Sequence, residues 1–249
     1  FLFLVAILLC YGCQKKKWKK PIHINCTLAL SNANTGLVQI HYGNFTVEEI
    51  NFDGKRKQGE KNISFDKKYE TGLIMYTPYY QPSYTSSYQS YYQSYYQSYN
   101  SQANSQESQK IAFDIPQGTY TEFNFDVKMK SFSSNQSLVL NGTFTNSFSI
   151  KIPVVFTLEA SESIMLLAKS ASGGTEIVFE EGKTYEAKVN CNPNYWFATV
   201  SQTMLQSASL TSVGWGWGNN VMYINKTTNT NIYNIIIGRI KEGNEMVFN

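Results

Sequence analysis

From Ile22 onward apolar residues return at every second position, and this alternation constrains the fold of the 249-residue chain more than any other feature. Side chains of an extended strand point alternately to its two faces, so a period of two marks strands with one buried face. Ile22, Ile24, Cys26, Leu28 and Leu30 share one parity, and His23, Asn25, Thr27 and Ala29 take the other. The pattern recurs in Phe123, Phe125, Val127 and Met129, in the long run Phe148, Ile150, Ile152, Val154, Phe156 and Leu158, and in Tyr185, Ala187, Val189 and Cys191. Shorter runs lie at 37–42, 45–52, 111–115, 138–140, 164–167, 177–179 and 221–224. Within 45–52 the parity passes from Phe45 and Val47 to Ile50 and Phe52, which predicts a bulge at Glu48 and Glu49. Pro153 has no N–H to give, so it predicts that the longest run is an edge or is bulged there. Turns are expected at Asp53-Gly54, Pro116-Gln117-Gly118, Asn141-Gly142, Gly173-Gly174 and Glu181-Gly182.

Many short strands, each with one polar face, predict an all-β antiparallel β-sandwich of transthyretin or immunoglobulin type over residues 22–199. Residues 200–249 change character. A helix over 200–208 would bury Val200, Met204 and Ala208, and a second over 231–240 would bury Ile232, Ile236 and Ile240. Asn229 or Asn231 would cap the second helix and Gly243 would end it. Packed on the sandwich, these helices would cover one edge or end and block strand-to-strand aggregation.

Residues 77–109 break the alternation. Ten of the 18 Tyr fall between Tyr76 and Tyr99, and the unit Tyr-Tyr-Gln-Ser repeats at 91–94 and 95–98. On a strand Tyr88, Tyr92 and Tyr96 would face one side and Tyr91, Tyr95 and Tyr99 the other, so neither side would be a clean core face. The segment reads as a low-complexity insertion in the sandwich. Three roles stay open for it: a neutral excursion, an adhesive or sugar-stacking surface made of flat rings with hydroxyl tips, and self-association through aromatic and amide contacts. Trp215 and Trp217, set among glycines, either plug an end of the sandwich or present rings to a sugar or a partner.

The chain opens on a nine-residue apolar run, 1–9, too short to cross roughly 30 Å of hydrocarbon as a helix. It reads as the apolar part of an export signal whose charged start is missing. Its end resembles a bacterial lipoprotein signal: Gly12 is the small residue before the cleavage point and Cys13 the cysteine that is acylated. That resemblance implies a truncated signal peptide at 1–12, a lipidated Lys-rich tether at 13–21, and an outer-membrane protein held by its acyl chains on the cell surface or the periplasmic face. Acyl chains on Cys13 would contribute about 0.8 kcal/mol per buried methylene. The lysines at 15, 16, 17, 19 and 20 read as a solvated tether, with Trp18 at headgroup level.

Those five lysines also explain the net charge of +3; without them 16 basic residues face 18 acidic ones. The body is therefore not basic, and Arg56 and Arg239 are its only arginines, which removes the footprint of a nucleic-acid binder. No Lys or Arg lies within 77–109 to meet phosphates beside the tyrosines. The motifs of zinc hydrolases, phosphate-binding loops and nucleophile elbows are missing, and the chain does not read as an enzyme or as a carrier of a cofactor. Two His, 23 and 41, and four Asp are a poor supply of metal ligands. The close carboxylates Glu48/Glu49, Glu159/Glu162 and Glu180/Glu181 read as solvated turn charges. Cys26 and Cys191 sit on the apolar parity of their strands and have two readings, which stay open: a disulfide permitted by export and worth up to roughly 5 kcal/mol, or two buried thiols.

The segment from Ile111 through Pro116, Gly118 and Tyr120, followed by Ser149 to Ala160, Ser163 and Ile164, resembles an uncharacterised β-sandwich domain of bacterial lipoproteins common in Bacteroidetes. That family has a Pro-x-Gly-x-Tyr turn before a strand and a Phe-rich strand ending in acidic-Ala-x-x-Ser-Ile. The resemblance implies a fold and a membrane address, and carries over no active site. Two classes of function follow: a non-catalytic surface lipoprotein that binds glycan or another surface protein through Tyr88, Tyr91, Tyr92, Tyr95, Tyr96, Tyr99, Trp215 and Trp217, or a structural subunit resembling fimbrial components, assembled through edge strands and the Tyr tract.

Overall fold

A computed structural model describes residues 20–30, 36–57, 63–67, 73–76, 108–129, 136–159, 163–212, 220–242 and 244–249. Among them run β1 (Pro21–Leu30), β2 (Val38–Arg56), β3 (Ile63–Lys67), β4 (Leu73–Tyr76), β5 (Ser108–Pro116), β6 (Gly118–Met129), β7 (Gln136–Thr145), β8 (Lys151–Glu159), β9 (Ser163–Ser170), β10 (Ile177–Phe179) and β11 (Thr184–Cys191). Three short helices and three strands follow: α1 (Pro193–Phe197), α2 (Gln202–Gln206), β12 (Thr211–Ser212), β13 (Asn220–Ile224), α3 (Thr230–Glu242) and β14 (Glu245–Phe248). The protein is therefore mostly β, as the alternation requires. In β1 all five residues of the apolar parity are buried, and in β9 Ile164, Leu166 and Ala168 are buried while Met165 and Leu167 face out.

The strands pair in the order β12-β13-β8-β7-β2-β6-β9-β14-β11-β1-β5, with β3 and β4 also on β2 and β10 on β6. Three of these pairings are parallel, β1 with β11, β8 with β13 and β9 with β14, which corrects the expected all-antiparallel sheet. Alternation fixes which face of a strand is buried and says nothing about its direction. Helices lie in two of the three connections that the parallel pairs need: α1 and α2 between β8 and β13, and all three helices between β9 and β14. Residues 200–249 are thus more than a cover, because β14 is inserted between β9 and β11.

The expected runs 37–42 and 45–52 fuse into the 19-residue β2. Its first half pairs with β7 and its second with β6, and the register shifts between Ile40 and Tyr42 and between Val47 and Glu49. The second shift is the bulge that the slipped parity predicts. Bulges let one strand serve two parts of a sheet. Past β2 the strands curl into a half-barrel, so that Phe52 of β2 meets Phe113 of β5 with ring centroids 4.0 Å apart although five strands separate them along the sheet. Tyr120, Phe123, Phe179 and Phe248 fill the interior edge to face.

Two expected turns are not turns. Asn141-Gly142 lies inside β7 and Asp53-Gly54 inside β2, and in both the glycine is where another strand's backbone comes too close for a side chain. A Cβ on Gly142 would stand 2.3 Å from the Gln39 carbonyl oxygen, and one on Gly54 2.7 Å from that of Glu122. Gly118, Gly173 and Gly182 do turn the chain, with φ of +147°, +84° and +80°.

On the β7–β8 side the helices close the core. Phe156 of β8 packs against Phe197 of α1 and Tyr233 of α3. Ile232, Ile236 and Ile240 of α3 are buried as the 3.6-residue spacing predicts. Asn229 precedes α3, but its side chain ties Ser209 and the Tyr223 carbonyl together and is not a cap on the helix. The helix expected over 200–208 shortens to α2, capped by Ser201, with Leu205 as its buried residue. The sequence reading has no counterpart for α1, although Asn192 as cap and Pro193 at the first turn are its signal. Trp196 of α1 donates its indole N–H to Asn244 Oδ1 at 3.0 Å, and the Asn244 amide in turn reaches the Ile240 carbonyl, locking α1, α3 and β14 together. Gly243 lies outside the described residues.

Candidate functional site

The two ends of β2 define two ends of the molecule. At its C-terminal end Arg56 Nη1 donates to the Gln117 carbonyl at 3.2 Å, and Gln117 N–H donates to the Lys20 carbonyl at 3.1 Å. Tyr120 closes the same corner by donating its hydroxyl to the Pro116 carbonyl at 2.9 Å. This bond explains the Pro-x-Gly-x-Tyr spacing: Gly118 reverses the chain and the Tyr ring returns over it. Burial pushes the Tyr120 phenol up to about 12, against the opposing pull of Arg56. The first described residue, Lys20, therefore leaves the fold at the Arg56 end.

At the other end of β2, Val38 pairs with Phe144, and β7 and β8 run past it into a hairpin. The hairpin thus adjoins the Val38 end of β2, and Lys20 its Arg56 end. Phe148 and Ile150, expected as core residues of a longer strand, are 82% and 57% exposed at its tip. The reason is local. Asn146 folds its carboxamide back to accept from the N–H groups of Phe148 (3.0 Å) and Ile150 (2.9 Å), which ends the strand and starts β8 only at Lys151. The Asn-Ser-Phe-Ser composition of 146–149 is a turn signal that the alternation overrode in the reading of the sequence.

The flanks of the aromatic segments open toward this hairpin end. β13 is parallel to β8 with Met222 beside Val154, so Ser212 and Asn220, which bracket 213–219, lie level with the first residues of β8. β4 runs antiparallel to β2, from Leu73 opposite Val47 to Tyr76 opposite Asn44, and so heads toward Val38. β5 begins opposite Ala29, at the far end of β1 from Pro21. β5 starts at Ser108, which moves the end of the expected 77–109 insertion back to 107. Tyr88, Tyr91, Tyr92, Tyr95, Tyr96, Tyr99, Trp215, Trp217 and Cys13 themselves lie outside the described residues.

Cys26 and Cys191 are both buried thiols, which resolves the open alternative against the disulfide. In the parallel β1–β11 pair Cys26 stands beside Ala187 and Cys191 beside Leu30. Four residues of strand, about 13 Å, separate their levels, and a disulfide needs Cα atoms within about 7 Å. Burial raises both thiols to about 12, so neither is a nucleophile at neutral pH.

Ionisable groups are tied into surface pairs. Lys55 holds Glu122 (2.6 Å), Lys183 holds Glu180 (2.5 Å), Lys226 holds Glu159 (3.3 Å), and Lys128 reaches Glu48 and Glu49 at 3.6 and 3.9 Å; Lys20 meets Glu181 and Lys57 meets Glu176. The Lys55 bond lowers the pKa of Glu122. Asp126 is raised, first by burial and then by the charges of Glu49 and Asp53. His23 meets Asp114 at 3.0 Å on an exposed face. His41 is buried with Nε2 2.9 Å from Thr143 Oγ1, and burial, with Lys151 nearby, lowers its pKa. Among the described residues His, Cys, Asp and Glu form no group of three that could hold a metal ion, and no helix is long and apolar enough to cross a membrane. Comparison with protein-family models, curated proteins and solved structures returns no match for this chain.

Proposed function

We propose that this protein is a membrane-anchored, non-catalytic lipoprotein of the outer membrane, on its surface or periplasmic face, that binds glycan or another surface with the end opposite its anchor. The observation that supports this reading is the polarity of β2: Lys20, in the last part of the tether, leaves at one end, and the exposed hairpin and the strands leading into 77–107 and 213–219 turn toward the other. Tyr- and Trp-rich connections reached from strands that run away from a lipid anchor suit capture of a partner at a distance from the membrane. The fold reading that goes with it is a two-layered β-sandwich, half-barrel against the β7–β8–β13 wing, similar to the lipoprotein domain that the Pro116-x-Gly118-x-Tyr120 turn resembles.

The test is a polysaccharide and surface-glycan panel probed with the full chain and with a chain lacking 77–107, which leaves β4 and β5 intact. Binding lost with the tract is the expected result. No binding by either chain, together with a particle size that grows with concentration, would replace this reading with a structural subunit that assembles on itself.

A further inference from the structure

Arg239 takes no part in the surface ion pairs. It lies in the last turn of α3, and its guanidinium carbon stands 3.8 Å from the ring centroid of Tyr195 in α1. Among the described residues that ring is its partner, and no hydrogen bond or carboxylate meets it. The side chain is half-buried: Nε is enclosed without a partner, and Nη1 and Nη2 are outside that enclosure. Both halves of the stack are braced. Trp196, next to Tyr195, donates to Asn244, and Asn244 reaches the carbonyl of Ile240, next to Arg239. Stacking on a ring occupies the face of a guanidinium and holds its plane, and it leaves the fork of Nη donors to a ligand.

The stack lies at the end of the molecule away from Lys20. β11 runs parallel to β1 and ends with Cys191 beside Leu30, so α1 follows at the end of β1 remote from Pro21. A Cβ on Gly36, just ahead of β2, would lie 3.8 Å from Asn194 Oδ1. Ser108, where 77–107 rejoins the fold, pairs with Ala29, and Ala29 with Asn190, so the tract re-enters two strands, about 10 Å, from the end of β11. No Lys, Arg, Asp or Glu occurs in 28–47, 73–106 or 190–225, the segments that lead to this end. They offer the fork no carboxylate, and their Asn, Ser, Gln and Tyr side chains are partners for hydroxyl groups.

A planar fork with one positive charge pairs in its plane with a carboxylate through two parallel N–H···O bonds. We propose that Arg239, stacked on Tyr195, is a specificity-determining residue of the contact end and selects glycans whose sugars carry a carboxylate, the uronic acids. The proposal rests on the glycan reading of that end and names the class of sugar it takes.

The experiment measures binding of the full chain to polygalacturonate, alginate and hyaluronate, to their carboxyl-reduced forms, and to polyglutamate and dextran sulfate. The lysines of the tether attract any polyanion, so the decisive variant is Arg239→Lys, which keeps the charge and removes the fork. It should weaken uronate binding about tenfold and leave the reduced polymers unaffected. Tyr195→Phe keeps the ring under the guanidinium and should bind as the parent does; Tyr195→Leu should weaken binding about threefold. Uronate binding that Arg239→Lys leaves unchanged means attraction by net charge and sinks the proposal. Binding confined to neutral or carboxyl-reduced polymers also sinks it and leaves the glycan reading standing, whereas no binding to any polysaccharide removes both. An equal loss on polyglutamate or dextran sulfate shows a fork that does not select sugar carboxylates and overturns it too. Melting curves like the parent's show that the variants fold.

Discussion

The half-barrel interior and the β7–β8 hairpin tip carry the same sequence pattern and meet opposite fates. Phe52, Phe123 and Phe125 alternate with polar residues and are buried; Phe148 and Ile150 alternate in the same way and stand in solvent. Period two specifies a side of a strand, and that side is a core only where another layer lies over it. Over β2 and β6 that layer is β5 and the strands beside it, brought round by the curl of the sheet. Beyond Thr145 and Lys151 the partner strands end, so the same parity runs off the sheet.

The largest effect expected from this contrast is a matched pair of truncations. Phe52→Ala removes a ring that contacts Phe113, Phe123 and Phe125 and should cost about 3–5 kcal/mol, whereas Phe148→Ala should stay within about 0.5 kcal/mol. Urea unfolding of both variants checks this, and similar losses in the two would show that the tip is part of the core. Next comes Gly142→Ala. Its Cβ would press on the Gln39 carbonyl at the β2 bulge, where the obstacle is backbone and cannot rotate away, so about 1–3 kcal/mol should be lost. Gly173→Ala is the useful control: nothing lies near its Cβ, and the cost there comes from φ +84° alone. Smaller again is Tyr120→Phe, which deletes the bond to Pro116 and leaves the ring packing, for about 1 kcal/mol. A loss confined to the Lys20 end, seen as faster amide exchange in β5 and the start of β6, would separate this corner from the rest of the half-barrel.

Much of the β architecture was legible because burial on one face leaves a mark at every second residue. β1, β6, β9 and β11 sit where the alternation placed them, and the slip after Val47 marked a real bulge. Strand direction was not legible, because parallel and antiparallel partners ask for the same face pattern, and three pairs are parallel. Asn141-Gly142 misled because a glycine required by close backbone approach looks like a glycine required by a turn. The half-barrel was equally hidden, since Phe52 and Phe113 lie 61 positions apart and only the curl of the sheet brings them together. Of the candidate site, the aromatic residue types were legible, but not the direction in which the strands flanking them run; that direction comes from register, through Met222 beside Val154 and Tyr76 opposite Asn44. The exposed tip went unread because Phe148 fitted the alternation too well.

The smallest effect separates the same two regions by the sign of their pH dependence. His41 lies under the hairpin end, bonded to Thr143, with its pKa below the usual 6.5 because burial and then the Lys151 charge disfavour the imidazolium. The unfolded chain therefore binds this proton before the folded one, and stability rises with pH wherever that holds. The contribution of His41 is complete above about pH 6.5 and is lost as pH falls through its depressed folded value. Asp126, on the outer face of the half-barrel, is raised by burial and by Glu49 and Asp53, so the folded state takes up its proton first and gains from acidification in the lower, carboxylate range. His41→Gln keeps a group that can bond Thr143 and removes the titration, so its unfolding free energy should fall less than that of the parent between pH 7 and 5. Asp126→Asn should leave that window untouched and steepen the loss below it. Unfolding curves collected across both windows decide the matter: a His41→Gln profile that overlays the parent would mean that the hairpin end does not sense protons through His41, and that the two regions differ in exposure alone.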